Sequence, residues 1–147
     1  MQRYFVPKEQ FYTDHAVITG PDVHHIRTVM RMNLGDRVGV LDNHGNGYLS
    51  EIEGISSSTV TVRFIQPLSL TTEANPFIIA QALIKRDRFE WMLEKSTELG
   101  VHAIIPTVFD HSIIKLDDER QDKKLIRYQA IVKEASEQSR RLTIPTI

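Results

Sequence analysis

The chain lacks cysteine altogether, has a single tryptophan, and carries no excess of either charge. Its 147 residues include 18 Lys and Arg against 19 Asp and Glu. The absence of cysteine excludes disulfides, thiolate zinc sites and cysteine nucleophiles. The near-neutral charge excludes an overall basic domain, which is the simplest signature of a nucleic-acid-binding protein. Any contact with nucleic acid must therefore come from local basic patches.

Long apolar runs are absent as well. The longest, Phe77–Leu83, is much shorter than the roughly 20 residues that span a bilayer. The N-terminus has no apolar block of the kind found in signal peptides. We therefore predict a cytoplasmic protein without a membrane partner. The hydrophobic share of 41% is typical of folded domains and disfavours extended disorder.

The first half of the chain consists of short, often alternating segments separated by turn residues. This pattern is typical of antiparallel β-strands, and five short strands usually curl into a small barrel. The predicted strands are Gln2–Val6, Ala16–Thr19, Arg37–Leu41, Gly47–Ile52 and Thr59–Ile65.

One helix interrupts these strands, and Thr19 and Pro21 mark its start. It is predicted to continue to about residue 31, with an inner face made of Val23, Ile26 and Met30. A second face is basic and carries His24, Arg27 and Arg31, with His25 beside them. Two guanidinium groups on one face suit adjacent phosphates. The alternative is a solvated helix face with one histidine packed beneath it.

The character of the sequence changes near Gln66–Pro76, where prolines and Ser/Thr residues precede the apolar run Phe77–Leu83. Such a run is typical of a strand that is covered on both faces, as in parallel α/β sheets. We therefore predict two domains, residues 1–70 and residues 74–147.

The second domain is predicted to alternate strands and helices. Asp87 is expected to cap a first helix that ends at Gly100, and its apolar residues are Phe89, Met92, Leu93 and Leu99. A strand over Val101–Val108 and a helix from about Asp118 to Arg140 follow; the apolar stripe of this helix is Leu125, Tyr128, Val132 and Ala135. Residues 142–147 begin another strand. Because two or three strands with two helices rarely form a complete parallel sheet, we expect the chain to be truncated.

Two further basic patches lie in this second domain. Lys85, Arg86 and Arg88 stand at a strand-to-helix turn, where a helix N-terminus favours anions, although the acidic residues that follow are alternative partners. The other patch comprises Arg120, Lys123, Lys124, Arg127, Lys133, Arg140 and Arg141. Charged helix faces of this kind often serve only as solvated surface.

The strongest polar cluster lies at the end of the last helix. Glu134 and Gln138 are spaced i, i+4, and Arg140 follows closely. This spacing suits a pair that stabilises the helix. It also suits a ligand crevice, because helix-to-strand junctions in α/β sheets commonly border one.

Metal and nucleotide motifs find little support. Asp42–Gly47 with Glu53 nearly matches an EF-hand loop, but His44 replaces an acidic ligand and strands flank the loop. We interpret it as a hairpin loop rich in Gly and Asn. His24 and His25 point about 100° apart on a helix and do not chelate together. The motifs of dinucleotide-binding, P-loop and α/β-hydrolase proteins are absent, and no metal cofactor is expected.

Several blocks distributed from the first residue to the last resemble one known family. They are residues 1–6 (MQRYFV), 24–32 (HHIRTVMRM), 81–92 (QALIKRDRFEWM), 94–101 (EKSTELGV), 133–141 (KEASEQSRR) and Ile144–Pro145. In these blocks the chain resembles the RsmE-type 16S rRNA (uracil-N3)-methyltransferases of the SPOUT class.

The resemblance implies a two-domain α+β protein. An N-terminal PUA-like antiparallel β-barrel would grip rRNA. It would be followed by the first part of an α/β methyltransferase domain with a trefoil knot that binds S-adenosylmethionine. The family implies a homodimer that methylates ring N3 of one uridine in small-subunit rRNA. Its knot-forming loops, Gly-Pro-Glu-Gly-Gly-like and Leu-Arg-Thr-Glu-Thr-Ala-like, do not occur in this chain, so the chain alone is predicted to be inactive.

The resemblance also implies roles for the polar cluster and the basic patches. Methylation at N3 becomes easier as the N3 proton departs. Glu134 is therefore a candidate base, Arg140 a candidate cation for the uracil anion, and Gln138 a candidate for orienting the base. The candidate RNA-binding residues are His24, His25, Arg27, Arg31, Lys85, Arg86 and Arg88. The alternative function is a non-catalytic rRNA-binding or ribosome-assembly module.

Overall fold

A computed structural model describes residues 1–68, 76–110 and 118–147, with residues 118–120 described by their backbone. The chain divides into two compact units, Met1–Thr71 and Thr72–Ile147. Both contain strands and helices, which gives a mixed α+β fold. None of the described helices is both long enough and apolar enough to cross a bilayer.

A curled five-stranded sheet forms the first unit. Its strands are β1 (Arg3–Phe5), β2 (His15–Thr19), β3 (Arg37–Leu41), β4 (Gly47–Ile55) and β5 (Thr59–Pro67), in the order β1-β3-β4-β5-β2. The pairs β3–β4, β4–β5 and β5–β2 are antiparallel, as predicted, but β1 runs parallel to β3. Parallel neighbours need a crossover connection, and here β2 and the helix lie between β1 and β3 in the chain.

The sheet wraps around a single core. Inward-pointing residues of the sheet pack against Val23 and Ile26 of the helix. The sheet residues buried in this core are Tyr4, Val6, Ala16, Ile18, Val38, Val40, Ile52, Val60 and Val62. The pairing of β4 with β5 has two irregularities, at Leu49/Ser50 and at Ile52/Gly54. Such bulges bend a strand and increase its twist. They help the sheet to curl into a half-barrel whose described edge strands, β1 and β2, are not paired with each other.

The helix of this unit is shorter than predicted. Helix α1 (Pro21–His24) continues as a single π-helical turn, residues 25–29, closed by the Met30 N–H donating to the His25 carbonyl at 2.8 Å. Arg31 then adopts a left-handed backbone with φ 52°. The wider turn changes the angular phase of the residues that follow. Val23 and Ile26 are buried as predicted, whereas Met30 is exposed, so its assignment to the inner face is wrong.

The loop between β3 and β4 is confirmed as a hairpin loop. The Asp42 carboxylate accepts hydrogen bonds from the backbone N–H groups of His44 and Asn46 and from the Asn46 side-chain amide. Burial raises the pKa of Asp42, but these hydrogen bonds outweigh it and lower the pKa below its ordinary value. The carboxylate therefore organises the turn.

The second unit alternates strands and helices, as predicted. Its elements are β6 (Ile78–Ala82), α2 (Arg86–Glu98), β7 (Ala103–Thr107) and α3 (Asp118–Gln138), and β6 pairs in parallel with β7. The C-terminal segment lies on the other side of β7. There the Ile104 N–H donates to the Thr146 carbonyl at 2.8 Å and the Thr146 N–H donates to the His102 carbonyl at 3.2 Å. This single parallel bridge agrees with the strand start predicted for residues 142–147.

One face of this sheet is covered and the other is not. Ile79 and Ile104 lie opposite each other in register and pack with Phe89 and Leu93 of α2 and Val132 of α3. On the opposite face Ile78 and Ile105 are 60% and 53% exposed. The prediction that the strand is covered on both faces is therefore wrong for the described residues, because α2 and α3 share one side of the sheet.

The ends of α2 differ in part from the prediction. Asp87 does not cap the helix. The N-cap residue is Lys85, which makes no side-chain capping hydrogen bond, and Asp87 lies in the first turn. There its negative charge still interacts favourably with the helix dipole. Gly100 ends the helix as predicted, with φ 94°. Leu99 is 78% exposed and Leu125 of α3 is also exposed, so neither belongs to the apolar stripe predicted for its helix.

Truncation of Leu93 tests the core of the second unit. Leu93 is fully buried, so we expect Leu93→Ala to lower the free energy of unfolding by about 2–5 kcal/mol, because it removes buried apolar area and leaves a cavity. The same substitution at the exposed Leu99 is the matched control and should change it by less than about 0.5 kcal/mol. Urea unfolding followed by far-UV circular dichroism measures both; equal effects would contradict this account of the core.

Candidate functional site

The basic helical turn of the first unit presents some of its predicted residues to solvent. His24, Arg27 and Arg31 are exposed, whereas His25 is half-buried and its Nδ1 is hydrogen-bonded to the Tyr4 hydroxyl at 3.0 Å. Arg27 donates from Nη1 to the Ser57 carbonyl at 3.2 Å, in the loop between β4 and β5. Because the helical turn ends at residue 29, the helix face predicted to carry His24, Arg27 and Arg31 does not extend to Arg31. The sequence did not signal the Tyr4 contact, which bridges distant parts of the chain.

One residue of the basic patch at the start of α2, Arg86, forms an ion pair with the Glu90 carboxylate. Arg86 donates to Glu90 Oε1 at 2.9 Å, and Arg127 of α3 binds both oxygens of the same carboxylate, with Nη2 at 2.7 Å from Oε2. The hydrogen bond from Arg127, supported by Arg86, outweighs the effect of burial and lowers the pKa of Glu90 to about 2. Arg86 and Arg127 therefore form a network that links the two helices.

The remaining cations of this patch, Lys85 and Arg88, lie outside this network. Lys85 and Arg88 are exposed, and neither forms an ion pair within the part of the chain that the structure describes. Arg88 borders an open cavity of about 490 Å³ next to Trp91. Of the three residues predicted here as RNA-binding, Lys85 and Arg88 keep an exposed charge, and Arg88 borders the cavity, while the charge of Arg86 is partly neutralised.

The polar cluster of α3 borders a separate groove. An open groove of about 450 Å³ lies along α2 and α3, and Glu134 and Gln138 line it together with Glu90 and Arg127. Gln138 donates from Nε2 to Glu134 Oε1 at 3.2 Å. The predicted pair is therefore brought together, and its carboxylate and amide face a space that a ligand can enter.

Arg140, the third residue of the predicted cluster, does not line this groove; it lies two residues after Gln138 and has an unusual backbone conformation. Its N–H donates to the Glu137 carbonyl at 3.4 Å and the Arg141 N–H donates to the Ser136 carbonyl at 2.9 Å, the two bonds of a Schellman motif. Arg140 has φ 62°, a left-handed conformation that usually selects glycine at this position. Its side chain is exposed. α2 ends with the same motif, and there the left-handed residue is Gly100.

The prediction that Arg141 belongs to a charged, solvated helix face is wrong. The residue is buried, and its Nη1 donates to the Thr97 carbonyl at 2.9 Å. A cation at a helix C-terminus interacts favourably with the helix dipole, so Arg141 fastens the end of α3 to the end of α2. Of the rest of that patch, Lys133 pairs with Glu137 at 2.8 Å, and the side chain of Arg120 lies outside the described residues.

The described histidines and carboxylates do not gather into a metal site. Among the described residues no group of three or more such side chains is arranged to hold an ion. The Asp42 carboxylate of the EF-hand-like loop is occupied by the N–H groups of its own loop.

Comparison with known proteins identifies the class of protein to which the chain belongs. A family model described as an RNA methyltransferase domain matches residues 71–147, and a second, described as an RNA methyltransferase PUA domain, matches residues 18–65. The chain therefore belongs to the RNA methyltransferase family, and its first unit contains a PUA-like domain.

The similar proteins belong to one group within this family. "Ribosomal RNA small subunit methyltransferase E" of Bacillus subtilis is 39% identical over 151 aligned positions, which cover 100% of this chain and 59% of that protein. The protein of the same name from Synechocystis is 31% identical, over 99% of this chain and 46% of its own length. The crystal structure of the Neisseria gonorrhoeae protein bound to S-adenosyl methionine is similar with a TM-score of 0.86 and 28% identity, over 100% of this chain and 61% of that one. The chain thus spans about half to three-fifths of the length of these relatives, and the predicted resemblance to the RsmE family is confirmed.

The Glu90 network makes stability depend on pH. The folded-state pKa of about 2 lies below the ordinary value of 4.5, so the network contributes fully above about pH 4.5 and loses its contribution as the pH falls towards 2. We expect Glu90→Gln to reduce the free energy of unfolding by about 1 kcal/mol at pH 7, since the two arginines are largely exposed. That difference should vanish near pH 2.

Urea unfolding between neutral pH and the acid limit measures this difference. Asp122→Asn is the matched control, because Asp122 is an exposed carboxylate on α3 without an ion pair to any described residue. The control should follow the parent throughout. A constant difference between Glu90→Gln and the parent at every pH would contradict the assignment to ionisation.

Proposed function

We propose that the whole protein, at the length of its relatives, methylates N3 of a specific uridine in 16S rRNA with S-adenosylmethionine as methyl donor. The observation that carries this proposal is the similarity, over the entire chain, to proteins named ribosomal RNA small subunit methyltransferase E. The S-adenosyl methionine bound to the similar Neisseria gonorrhoeae structure supports the choice of donor.

The same proposal assigns a role to each part of the chain. Residues 1–70 form the PUA-like domain that binds rRNA, and residues 74–147 form the first part of a SPOUT methyltransferase domain whose knot is completed by further residues. The protein acts as a homodimer in the cytoplasm, where its rRNA substrate is found. The matches to a PUA model and to a methyltransferase model support this division.

The described residues do not fit the whole methyl donor. Nucleotide-like cofactors are usually held in enclosed, mostly apolar pockets. The described grooves of the second unit are open and lie on helix surfaces, and five of the nine residues that line one of them and five of the eight that line another are charged. The donor supplies the methyl group when it is bound, and this chain's own residues are placed to act on the acceptor base.

The polar cluster of α3 can act on the uracil ring. The N3 atom lies on the Watson–Crick edge, so the base must be unpaired before it reacts. In this proposal the Glu134 carboxylate accepts the N3 proton. The Gln138 amide, whose Nε2 lies 3.2 Å from Glu134 Oε1, orients the uracil ring by a hydrogen bond to a carbonyl oxygen of the ring. The Arg140 guanidinium stabilises the negative charge that develops on the uracil.

Substitution of the cluster in the whole protein tests these roles. We expect Glu134→Gln to lower kcat by at least about 100-fold, because it removes the proton acceptor. Arg140→Ala should lower kcat by about 100-fold or more, because it removes the cation. Methyl incorporation into 16S rRNA from radiolabelled donor measures both.

Asp122→Asn serves as the control, since Asp122 lies on the same helix and does not line the groove. Its turnover should equal that of the parent. Undiminished turnover in both Glu134→Gln and Arg140→Ala would remove the cluster from the mechanism.

The basic helical turn provides a second test, on RNA affinity. Removal of one phosphate-binding cation reduces the slope of log K against log salt by about 0.9 for a duplex, so Arg27→Ala and Arg31→Ala should each weaken binding and flatten this dependence. Arg37→Ala, at an exposed arginine of β3, is the matched control. Titration of rRNA fragments at several salt concentrations provides the measurement; slopes identical to that of the parent would exclude these arginines.

A further inference from the structure

Trp91 is the only tryptophan of the chain, and it is 63% exposed. Its exposure follows from its place in α2. Phe89 and Leu93 are fully buried, and a residue two positions from each is rotated by about 200° around the helix axis. Trp91 therefore points away from the core. A large aromatic ring on a protein surface is a common feature of binding sites, because it offers apolar area and a polarisable face.

A cavity lies beside this indole. It is open, has a volume of about 490 Å³, and is lined by Ile84, Asp87, Arg88, Trp91 and Met92. Three of the five lining side chains are apolar. The volume is larger than one aromatic ring requires, so a planar ligand has room to lie against the indole.

The charges around the cavity suit a nucleotide. Arg88 precedes Trp91 by three residues, so both lie on the same side of α2, and Lys85 precedes Arg88 by three. Both cations are exposed and, unlike Arg86, they are not drawn to the Glu90 carboxylate. Asp87 at the cavity wall repels phosphate, which leaves the side of Lys85 and Arg88 for the sugar-phosphate backbone.

We propose that Trp91, Arg88 and Lys85 form a stacking site for one unpaired nucleobase of single-stranded RNA. The base lies against the Trp91 indole, and the flanking phosphates interact with Arg88 and Lys85. Aromatic side chains bind unpaired bases by stacking, largely without regard to sequence, and neighbouring cations bind the backbone. The inference rests on the proposed function, since it takes the partner to be RNA.

Tryptophan fluorescence reports on this site alone, because the chain has no other tryptophan. The chain is titrated with a short oligouridylate, and binding is followed by Trp91 emission and, independently, by anisotropy of a dye on the RNA. Stacking should quench the emission along the same saturation curve as the anisotropy. A duplex of the same length should quench less, because its bases are already stacked on one another.

Variants distinguish the contribution of the Trp91 ring to RNA binding from that of the neighbouring charges. Trp91→Ala should weaken binding by about tenfold, whereas Trp91→Phe, which keeps an aromatic face, should retain most of the affinity. Arg88→Ala should weaken binding and reduce the single-strand salt slope by about 0.7. Lys123→Ala removes an equal charge from α3 at a residue that does not line this cavity. It should leave the affinity and the salt slope unchanged. Circular dichroism checks that each variant is folded.

Several results would overturn the inference. RNA binding by anisotropy with unchanged Trp91 emission would place the RNA elsewhere and leave the proposed function intact. A concentration-dependent blue shift of Trp91 without RNA would show that a second copy of the chain covers the indole. Absence of RNA binding in both assays would count against the inference and against an RNA-binding role of this chain together.

Discussion

The second unit depends on the packing of α2 and α3 side by side on one face of two parallel strands. Phe89, Leu93 and Val132 fill the space between the helices and the sheet. Once this packing is set, the Glu90 carboxylate lies within reach of Arg127, and Arg141 lies within reach of the carbonyl of Thr97. The groove with Glu134 and Gln138, and the outward position of Trp91, are consequences of the same arrangement.

The near-zero net charge reflects nearly equal numbers of basic and acidic residues, and several of these charges are paired locally. Glu90 partly neutralises two arginines, and Lys133 and Lys95 have acidic partners on their own helices. Lys85 and Arg88 keep their exposed charges. An anion that approaches Lys85 and Arg88 therefore meets cations without an ion pair to any described residue, and Arg88 borders the same cavity as the indole of Trp91.

Much of the fold could be predicted because its signals are local. Alternation of apolar residues places β2 to β5, and Gly100 marks the end of α2. The errors come from contacts between distant residues. Nothing near Arg141 in the chain indicates that its guanidinium is buried against α2, and the parallel pairing of β1 depends on a crossover that no short pattern encodes. The Glu134–Gln138 pair could be predicted because it follows helix spacing, whereas Arg127 meets Glu90 across 37 positions.

The two Schellman motifs of the second unit have different consequences. Where α2 ends, Gly100 adopts the left-handed conformation at little cost, whereas where α3 ends, Arg140 adopts it with φ 62° against a steric penalty of about 1 kcal/mol. Glycine at position 140 would relieve that penalty and at the same time delete the guanidinium to which the proposed function assigns a role in methyl transfer. Under the proposed function, stability favours glycine at this position and methyl transfer favours arginine, which is a trade-off between the two.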